Sequence, residues 1–140
     1  MWTSKEIYKL KQNAVQTLTS GASTSSGTAG SAKIYQGNRI LVTCAISDAG
    51  DTVDFILPFD CYVLDAFVLG TAAGSTDAEV SIRNGGNAIF GDMDADTADA
   101  IVRASTLDYT YRKVTTGTSI QVKSVSEDVS CIVVIDIIPT

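Results

Sequence analysis

Alternating aspartates in residues 92–99 are the side chains whose type and spacing most suggest chemistry. Carboxylates at every second position of a loop can present several hard oxygen atoms to one Ca²⁺ ion, so Asp92, Asp94 and Asp96 are candidate metal ligands. The match to a helix-loop-helix calcium loop is incomplete, because its sixth and twelfth positions hold threonine and arginine here. The pattern therefore favours a solvated loop that leads into a short alanine-rich helix, with Ca²⁺ binding as the alternative.

Histidine is absent from the chain. This absence excludes the Ser-His-Asp triad, the Cys-His pair, histidine zinc sites and imidazole general bases together. Thirteen aspartates leave paired-carboxylate hydrolysis open, but no pair stands out. Asp65 and Asp136 lie inside apolar segments, where a subunit boundary or a sheet rim is the commoner reason for a carboxylate. No P-loop or dinucleotide-binding fingerprint occurs. We therefore expect a protein that is not an enzyme.

Tyr109 and Tyr111 stand two residues apart beside Arg112 and Lys113. On one face of a strand, such a group could stack against a sugar or a single-stranded nucleic acid. The charge balance argues against nucleic acid, because residues 40–140 carry five basic and fifteen acidic side chains. We expect the two tyrosines to pack in the core or in an interface, and we expect no nucleic-acid partner.

The three cysteines, Cys44, Cys61 and Cys131, each lie in an apolar run. A reduced thiol in such a run behaves as a small hydrophobic group, so the sequence predicts three free core thiols, with one disulfide and a spare thiol as the alternative. Free thiols indicate maturation in a reducing cytosol. We expect no secretory leader and no membrane partner, because the longest strongly apolar stretch is far too short to span a bilayer.

The elements that must position any site are predicted to be β-strands. The chain has the length of one domain, 140 residues and 14.7 kDa, and its isoleucines, valines and threonines outnumber its leucines six to one. Alternation predicts strands at residues 40–46, 53–57, 61–69, 78–83, 107–114, 119–125 and 130–138. Asn84-Gly85 predicts a type I′ hairpin that leads into a further short strand at residues 88–90. The run 61–69 is apolar on both faces apart from Asp65, which indicates a central strand. This spacing predicts an all-β, two-sheet antiparallel sandwich, jelly-roll-like because the Cys…Trp…Cys pattern of immunoglobulin domains is absent.

An N-terminal arm precedes the predicted sandwich. Residues 1–39 carry five basic side chains and one acidic side chain, in contrast to the acidic remainder. The sequence predicts three regions: a basic amphipathic arm at residues 1–20, a flexible Gly/Ser/Thr linker at residues 21–37 and a β-sandwich domain at residues 38–140. The arm is expected to be extended or helical.

Within the arm, a capping-box spacing at residues 3–6 precedes apolar residues at helical intervals, Ile7, Leu10, Ala14 and Leu18. An isolated helix of this length is marginal in water, so we expect it to dock on a partner. The candidate contact residues are Lys5, Ile7, Lys9, Leu10, Lys11 and Leu18. A frayed terminus without function is the alternative.

The final segment carries apolar residues on both faces. Cys131, Val133, Ile135 and Ile137 share one face, and Ile132, Val134, Asp136 and Ile138 share the other. Only one face can enter the core of this domain, so we expect Ile132, Val134 and Ile138 at a subunit interface or under the docked arm. A loop over the outer face of a central strand is the alternative.

Two pairs of segments carry a resemblance to a protein family: residues 53–58 followed by 62–68, and residues 116–122 leading to 132–139. A strand that ends in proline is followed by a long apolar strand, and a Gly-x-x-Ile-x-Val strand is followed by a closing apolar strand. This order resembles that of capsid decoration proteins, also called cement proteins, and head-fibre bases of tailed bacteriophages.

The resemblance implies a homotrimer without enzymatic activity that binds the outside of a capsid near local three-fold positions. The arm would act as an anchor or as a strap between subunits. The implied partner is the major capsid protein or another virion protein, and the implied location is the virion, assembled in the host cytoplasm. We expect no cofactor. The alternative function is a jelly-roll carbohydrate-binding module that uses Ca²⁺ at the aspartates in residues 92–96.

Overall fold

The computed structural model describes residues 22–23, 28–34, 39–47, 52–57, 59–74, 76–125 and 129–140, with side chains from residue 39 onwards. Twelve β-strands and no helix occur among these residues, and the strands form two antiparallel sheets that pack against each other. The described part of the chain accordingly contains no helix with the length and apolar character that a membrane crossing requires. The all-β prediction is confirmed.

The strands are numbered in chain order and divide equally between the sheets. Sheet A contains β1 (Ala22–Ser23), β4 (Thr52–Ile56), β6 (Glu79–Asn84), β7 (Asn87–Ala88), β8 (Met93–Asp94) and β11 (Ser119–Ser124). Sheet B contains β2 (Thr28–Ile34), β3 (Ile40–Ile46), β5 (Cys61–Gly70), β9 (Ile101–Arg103), β10 (Lys113–Val114) and β12 (Cys131–Pro139). The order in sheet A is β1-β4-β11-β6-β7, with β8 also on β6. The order in sheet B is β10-β5-β12-β3-β2, with β9 also on β5.

The strand pairs are nested along the chain. β3 pairs with β12, β4 with β11, β5 with β9 and β10, and β6 with β7 and β8. Successive strands β3, β4, β5 and β6 alternate between the two sheets. Nested antiparallel pairs folded into two sheets form the jelly-roll arrangement. The predicted jelly-roll-like sandwich is therefore confirmed.

The core lies between the sheets and is filled by every second side chain of the long strands. The largest fully buried side chains are Phe55, Ile40, Ile46, Leu57, Ile82, Ile89, Ile120, Ile135 and Ile137. Full burial of one such side chain stabilises the folded state by about 1.5–3 kcal/mol. In β12 the buried face holds Cys131, Val133, Ile135 and Ile137, which is the face that the sequence assigned to the core.

A β-bulge interrupts the alternation of β5. The register between β5 and β12 shifts between Asp136 and Ile137, where it skips Leu64. Because the extra residue reverses the phase of the strand, Val63 before it and Ala66 after it are both buried. The strand lies between β12 on one side and β9 and β10 on the other, so its predicted central position is confirmed.

The β6–β7 hairpin is present, one residue later than the sequence predicted. Asn84 pairs with Asn87, so the loop residues are Gly85 and Gly86, and of these two only Gly85 has a positive φ, at 61°. A positive φ at the first loop position alone is the pattern of a type II′ turn, so the type I′ prediction is wrong. Asn84 remains in the strand, where its side-chain nitrogen donates a hydrogen bond to the Tyr111 carbonyl oxygen at 2.9 Å.

The predicted strand over residues 107–114 is wrong, because a turn interrupts it. Leu107 makes only an isolated bridge, and β10 covers only Lys113–Val114. Asp108 stabilises the turn, since its Oδ1 accepts a hydrogen bond from the Thr110 backbone N–H at 2.8 Å. Aspartate commonly bonds to the backbone two residues further on, and this local bond competes with a continuous strand.

The alanine-rich helix predicted after the aspartates is also absent. Residues 95–100 form an irregular loop between β8 and β9, with a turn at residues 98–99. Asp99 has a φ of 62°, in the left-handed region, and its backbone N–H donates a hydrogen bond to the Gly70 carbonyl oxygen at 2.9 Å. Bonds to the end of β5 therefore override the weak helix propensity of this segment.

The predicted arm at residues 1–20 lies outside the described residues. Within residues 21–37, which the sequence assigned to a flexible linker, the structure differs: it contains β1 and β2. β1 pairs with β4 at the edge of sheet A, and β2 pairs with β3 at the edge of sheet B. Edge pairing uses backbone N–H and C=O groups, so small polar residues suffice for it. The absence of large apolar residues is therefore not sufficient to predict that this segment is coil.

Cys44, Cys61 and Cys131 are all free and buried, which confirms the prediction of reduced core thiols. Burial in apolar surroundings disfavours the thiolate and raises the pKa of each thiol to about 12. The three side chains therefore act as small hydrophobic groups of the core and are protonated at neutral pH.

Candidate functional site

The candidate functional site is the face of sheet B that is turned away from the core, termed here the sheet B outer face. Side chains alternate along each strand, so every second one points outward, and the outward apolar side chains are half-buried or exposed. These are Leu41 and Ala45 on β3, Tyr62, Leu64, Phe67 and Leu69 on β5, Ile101 on β9, and Ile132, Val134 and Ile138 on β12.

The strand register places the most exposed of these side chains next to one another. Ile132 is the register partner of Leu69, and Leu69 is the partner of Ile101, so the three form an aliphatic row across the sheet. Ile101 is 71% exposed and Ile132 is 38% exposed. The next row on β12 and β5 places Val134 beside Phe67. A contiguous apolar patch rimmed by charged residues is characteristic of protein–protein contact surfaces.

The outer face of sheet A is polar by comparison. Gln121 on β11 lies between Asp54 and Arg83, and its Nε2 donates a hydrogen bond to the Asp54 Oδ1 at 3.1 Å. Lys123 is exposed on the same strand, and Ile56 at the end of β4 is the exception. Apolar residues inside and polar residues outside are expected of a sheet face in contact with water. The two outer faces of the sandwich therefore differ in polarity.

Two carboxylates lie side by side within the sheet B outer face. Asp136 on β12 and Asp65 on β5 are register partners. Arg39, directly before β3, binds Asp136 with two hydrogen bonds: its Nε donates to Oδ1 at 3.1 Å and its Nη2 donates to Oδ2. The Asp136 side chain is only 5% exposed. A bidentate guanidinium engages both carboxylate oxygens, which allows the charge to lie in an apolar surface.

Arg103 on β9 binds the second carboxylate. Its Nη2 donates a hydrogen bond to the Asp65 Oδ2 at 2.5 Å, and its guanidinium lies 5.6 Å from the centroid of the Phe67 ring. The hydrogen bond to Asp65 raises the pKa of Arg103 above its usual value, and coulombic attraction to the same carboxylate adds to this rise. Both aspartates of the face thus have an arginine partner, so neither carries an unbalanced charge that would oppose contact with another protein.

At the opposite end of the face, Arg112 stacks between two tyrosine rings. Its guanidinium carbon is 4.9 Å from the Tyr62 centroid and 4.8 Å from the Tyr109 centroid. Tyr109 is 73% exposed, whereas Tyr111 packs against the core as expected. The turn at Asp108 separates the two sequence-predicted tyrosines, so their expected placement on one strand face is wrong.

The structure does not bring Asp92, Asp94 and Asp96 together as a group of ligands. Asp94 lies opposite Glu79, and the Asp96 carboxylate accepts a hydrogen bond from the Thr97 hydroxyl at 3.0 Å. Burial raises the pKa of Glu79, and the nearby aspartates add to the rise. Across the ranges that the structure describes, no three Asp, Glu, Cys or His side chains form a group that could hold a metal ion. The geometry therefore gives no support to a Ca²⁺-dependent carbohydrate-binding module.

The three interface residues that the sequence predicted, Ile132, Val134 and Ile138, share one strand face and point outward together. The predicted arm residues, Lys5 to Leu18, lie outside the described residues. Sequence reasoning missed Phe67 and Leu69 on β5 and Ile101 on β9. For β5, alternation within residues 61–69 was the available signal, but the bulge reverses the alternation and hides which residues point outward. For β9, three residues are too few to show a pattern.

No family model, no curated protein and no solved structure matches this chain. The resemblance to capsid decoration proteins therefore stays a prediction.

Proposed function

We propose that this chain is a structural virion protein without enzymatic activity, which binds and reinforces the capsid of a tailed bacteriophage. In this proposal the sandwich forms homotrimers through the sheet B outer face. The basic arm at residues 1–20 makes the contacts with the capsid protein or between subunits. The jelly roll is a common fold of viral coat domains, and this analogy is compatible with the proposal without carrying it.

The observation that carries the proposal is the contrast between the two outer faces. Sheet A presents charged and amide side chains to the surroundings, whereas sheet B presents Leu69, Phe67, Val134, Ile132 and Ile101. Leaving such side chains in water forgoes about 25 cal/mol for each Å² of apolar surface, which favours a protein cover. A specific interface buries about 800 Å² on each partner. In this proposal the outward side chains of β9, β5, β12 and β3 provide its apolar part.

The two aspartates inside the apolar strands of sheet B also favour a structural role. Asp65 and Asp136 are bound by Arg103 and Arg39, so these arginines hold them in ion pairs within the sheet. Such ion pairs fix the relative position of the strands that carry them. If the strands or a contacting chain were misplaced, an ion pair would break and leave an unpaired charge against an apolar surface.

Capsid binding is tested by co-sedimentation of the purified chain with undecorated tailed-phage capsids. We expect saturable binding of the full chain, and loss of binding when residues 1–20 are deleted. The deletion must stop before Ala22, because a longer one would remove β1 and the edge pairing with β4. A circular dichroism melt identical to that of the full chain shows that the shortened sandwich still folds. Equal sedimentation of both chains would overturn the anchoring role, and no sedimentation of the full chain would overturn capsid binding.

Val134→Asp is expected to dissociate the homotrimer. The substitution places an uncompensated carboxylate between Thr43 and Phe67 at the centre of the sheet B outer face, where contact with a second chain would desolvate it. Light scattering after size exclusion should give three times 14.7 kDa, about 44 kDa, for the native chain and 14.7 kDa for the variant.

The control is Lys123→Asp, which places the same carboxylate on β11, outside the contact surface, and should leave the mass at about 44 kDa. Ile132→Lys provides a second test at a more exposed position, so that a failure of Val134→Asp to fold does not remove the measurement. A native chain with the mass of a monomer, or variants that keep the native mass, would contradict this role of the sheet B outer face.

A further inference from the structure

We propose that residues 1–20 of one copy of this chain dock on the sheet B outer face of a neighbouring copy. This exchange of arms rests on the proposed function and names the occupant of the same surface. Each chain would then provide both halves of the contact, a basic amphipathic segment and an apolar sheet face, and the assembly would close through repeated arm-to-face contacts.

The chemistry of the arm matches the surface in kind and in length. Ile7, Leu10, Ala14 and Leu18 recur on one face of the predicted helix, and the remaining side chains of this segment are largely polar. A helix from residue 5 to residue 18 is about 21 Å long at 1.5 Å per residue. Four strands at about 4.8 Å spacing make sheet B, from β9 to β3, roughly 15–20 Å wide. One such helix can therefore lie across the row of Ile132, Leu69 and Ile101.

The connection to β1 argues against docking on the same copy. The arm leads into β1, which pairs with β4 at the edge of sheet A. Only residues 19–21 separate the predicted helix from β1, and three extended residues span at most about 10 Å. The sheet B outer face of the same copy is further away than this. The chain would have to cover the spacing of about 10 Å between the two sheets and, in addition, the helix radius of about 5 Å. A neighbouring copy has no such limit, because its position relative to β1 is free.

Charge is compatible with docking between copies, and it is the short connection to β1 that distinguishes a neighbouring copy from the same one. Residues 40–140 carry ten more acidic than basic side chains, so two such bodies repel each other at long range. The arm carries Lys5, Lys9 and Lys11 against Glu6 and brings positive charge to the acidic body of the neighbour. The arm thus offsets the repulsion that a direct contact between two bodies would meet.

The test is a disulfide between single cysteines placed in two different chains. One chain carries Leu10→Cys and the other carries Val134→Cys, and the two are co-expressed with different affinity tags and oxidised mildly. The native cysteines need no replacement, because burial raises the pKa of Cys44, Cys61 and Cys131 to about 12 and leaves them without reactive thiolate. We expect a reducible band of twice 14.7 kDa, about 29 kDa, that carries both tags.

The matched control replaces Val134→Cys by Lys123→Cys on the outer face of sheet A, and it should give no mixed band. A mixed band of equal strength with Lys123→Cys would overturn the proposal as non-specific contact. Absence of the mixed band with Val134→Cys would also overturn it. A chain that carries Leu10→Cys and Val134→Cys together and forms only a disulfide within itself would show docking on the same copy and overturn the exchange.

These outcomes are separable from failure of the proposed function. If Val134→Asp dissociates the trimer while no arm disulfide forms, the sheet B outer face contacts a neighbour without the arm, and only the exchange of arms is overturned. If the native chain is a monomer and does not sediment with capsids, the proposed function fails as a whole.

Discussion

Gly70→Ala is expected to lower the free energy of unfolding by about 3 kcal/mol and the melting temperature by roughly 10 °C. Gly70 ends β5, where it is buried and pairs with Cys131 on β12. A Cβ atom at this position would overlap the carbonyl oxygen of Thr97 and lie 3.0 Å from its carbonyl carbon. These are backbone atoms, so no side-chain rotation can relieve the overlap.

Backbone hydrogen bonds prevent the Thr97 segment from moving away. The Gly70 N–H donates to the Ala100 carbonyl oxygen at 3.1 Å, and the Asp99 N–H donates to the Gly70 carbonyl oxygen at 2.9 Å. Displacing residues 97–100 would break these bonds and would shift β9, which carries Ile101 on the sheet B outer face. We therefore expect Gly70→Ala to weaken the proposed trimer in addition to lowering stability.

Gly86→Ala is the matched control, because it makes the same substitution elsewhere in the β-sandwich. No atom lies within 4 Å of a Cβ built at Gly86, and its φ is not positive, so alanine fits without strain. The control should change the free energy of unfolding by less than about 1 kcal/mol. Urea unfolding of both variants gives the comparison. Equal stability of Gly70→Ala and Gly86→Ala would show that the 97–100 segment yields easily and is not fixed as the structure indicates.

The sequence was sufficient to predict the elements whose side chains alternate without interruption. The side chains of β3, β4, β11 and β12 alternate with a period of two, and the structure forms a strand at each of these places with one side of the alternation buried. The nested pairing then follows from strand number and spacing. For β12, Ile132, Val134 and Ile138 lie on the outward face, as the alternation indicated. That a partner covers this face stays a prediction.

The failures occur where individual hydrogen bonds, which the apolar pattern does not show, decide the local conformation. Residues 95–100 have helix-compatible composition, but Asp99 and Ala100 bond to Gly70, far away in the chain. The strand expected over residues 107–114 breaks because the Asp108 side chain bonds to the backbone of Thr110. The candidate site shares this limit: Ile101 reaches the surface only because β9 pairs with β5, and no pattern in three residues could show that pairing.

The free energy of unfolding is expected to fall by about 4 kcal/mol for each pH unit above pH 9. In the unfolded chain the three thiols ionise near pH 9, whereas burial raises the pKa of Cys44, Cys61 and Cys131 in the folded chain to about 12. Between these values the unfolded chain binds fewer protons than the folded chain, so stability decreases as pH rises. One pH unit corresponds to about 1.4 kcal/mol for each thiol, and three thiols act together.

The size of this effect approaches the stability of the whole domain. From pH 8 to pH 10.5 the three thiols together remove about 6 kcal/mol, and domains of this kind have free energies of unfolding of about 5–15 kcal/mol. Below pH 8 the thiols are protonated in both states and contribute no slope. Urea unfolding in a phosphine reductant, at half-unit steps from pH 7 to pH 10.5, measures the curve without disulfide formation.

Single substitutions separate the cysteines from other groups that ionise at high pH. Cys44→Ala also creates a small cavity, which lowers stability equally at every pH, so the slope rather than the absolute value reports ionisation. Each of Cys44→Ala, Cys61→Ala and Cys131→Ala should reduce the slope above pH 9 by about 1.4 kcal/mol per pH unit, because each removes one thiol with a raised pKa. Slopes that remain equal to the native one would show that the thiols ionise alike in both states. Such a result would mean that water reaches the core of the sandwich. The native cysteines would then be reactive, and the disulfide test between arm and sheet would require their replacement.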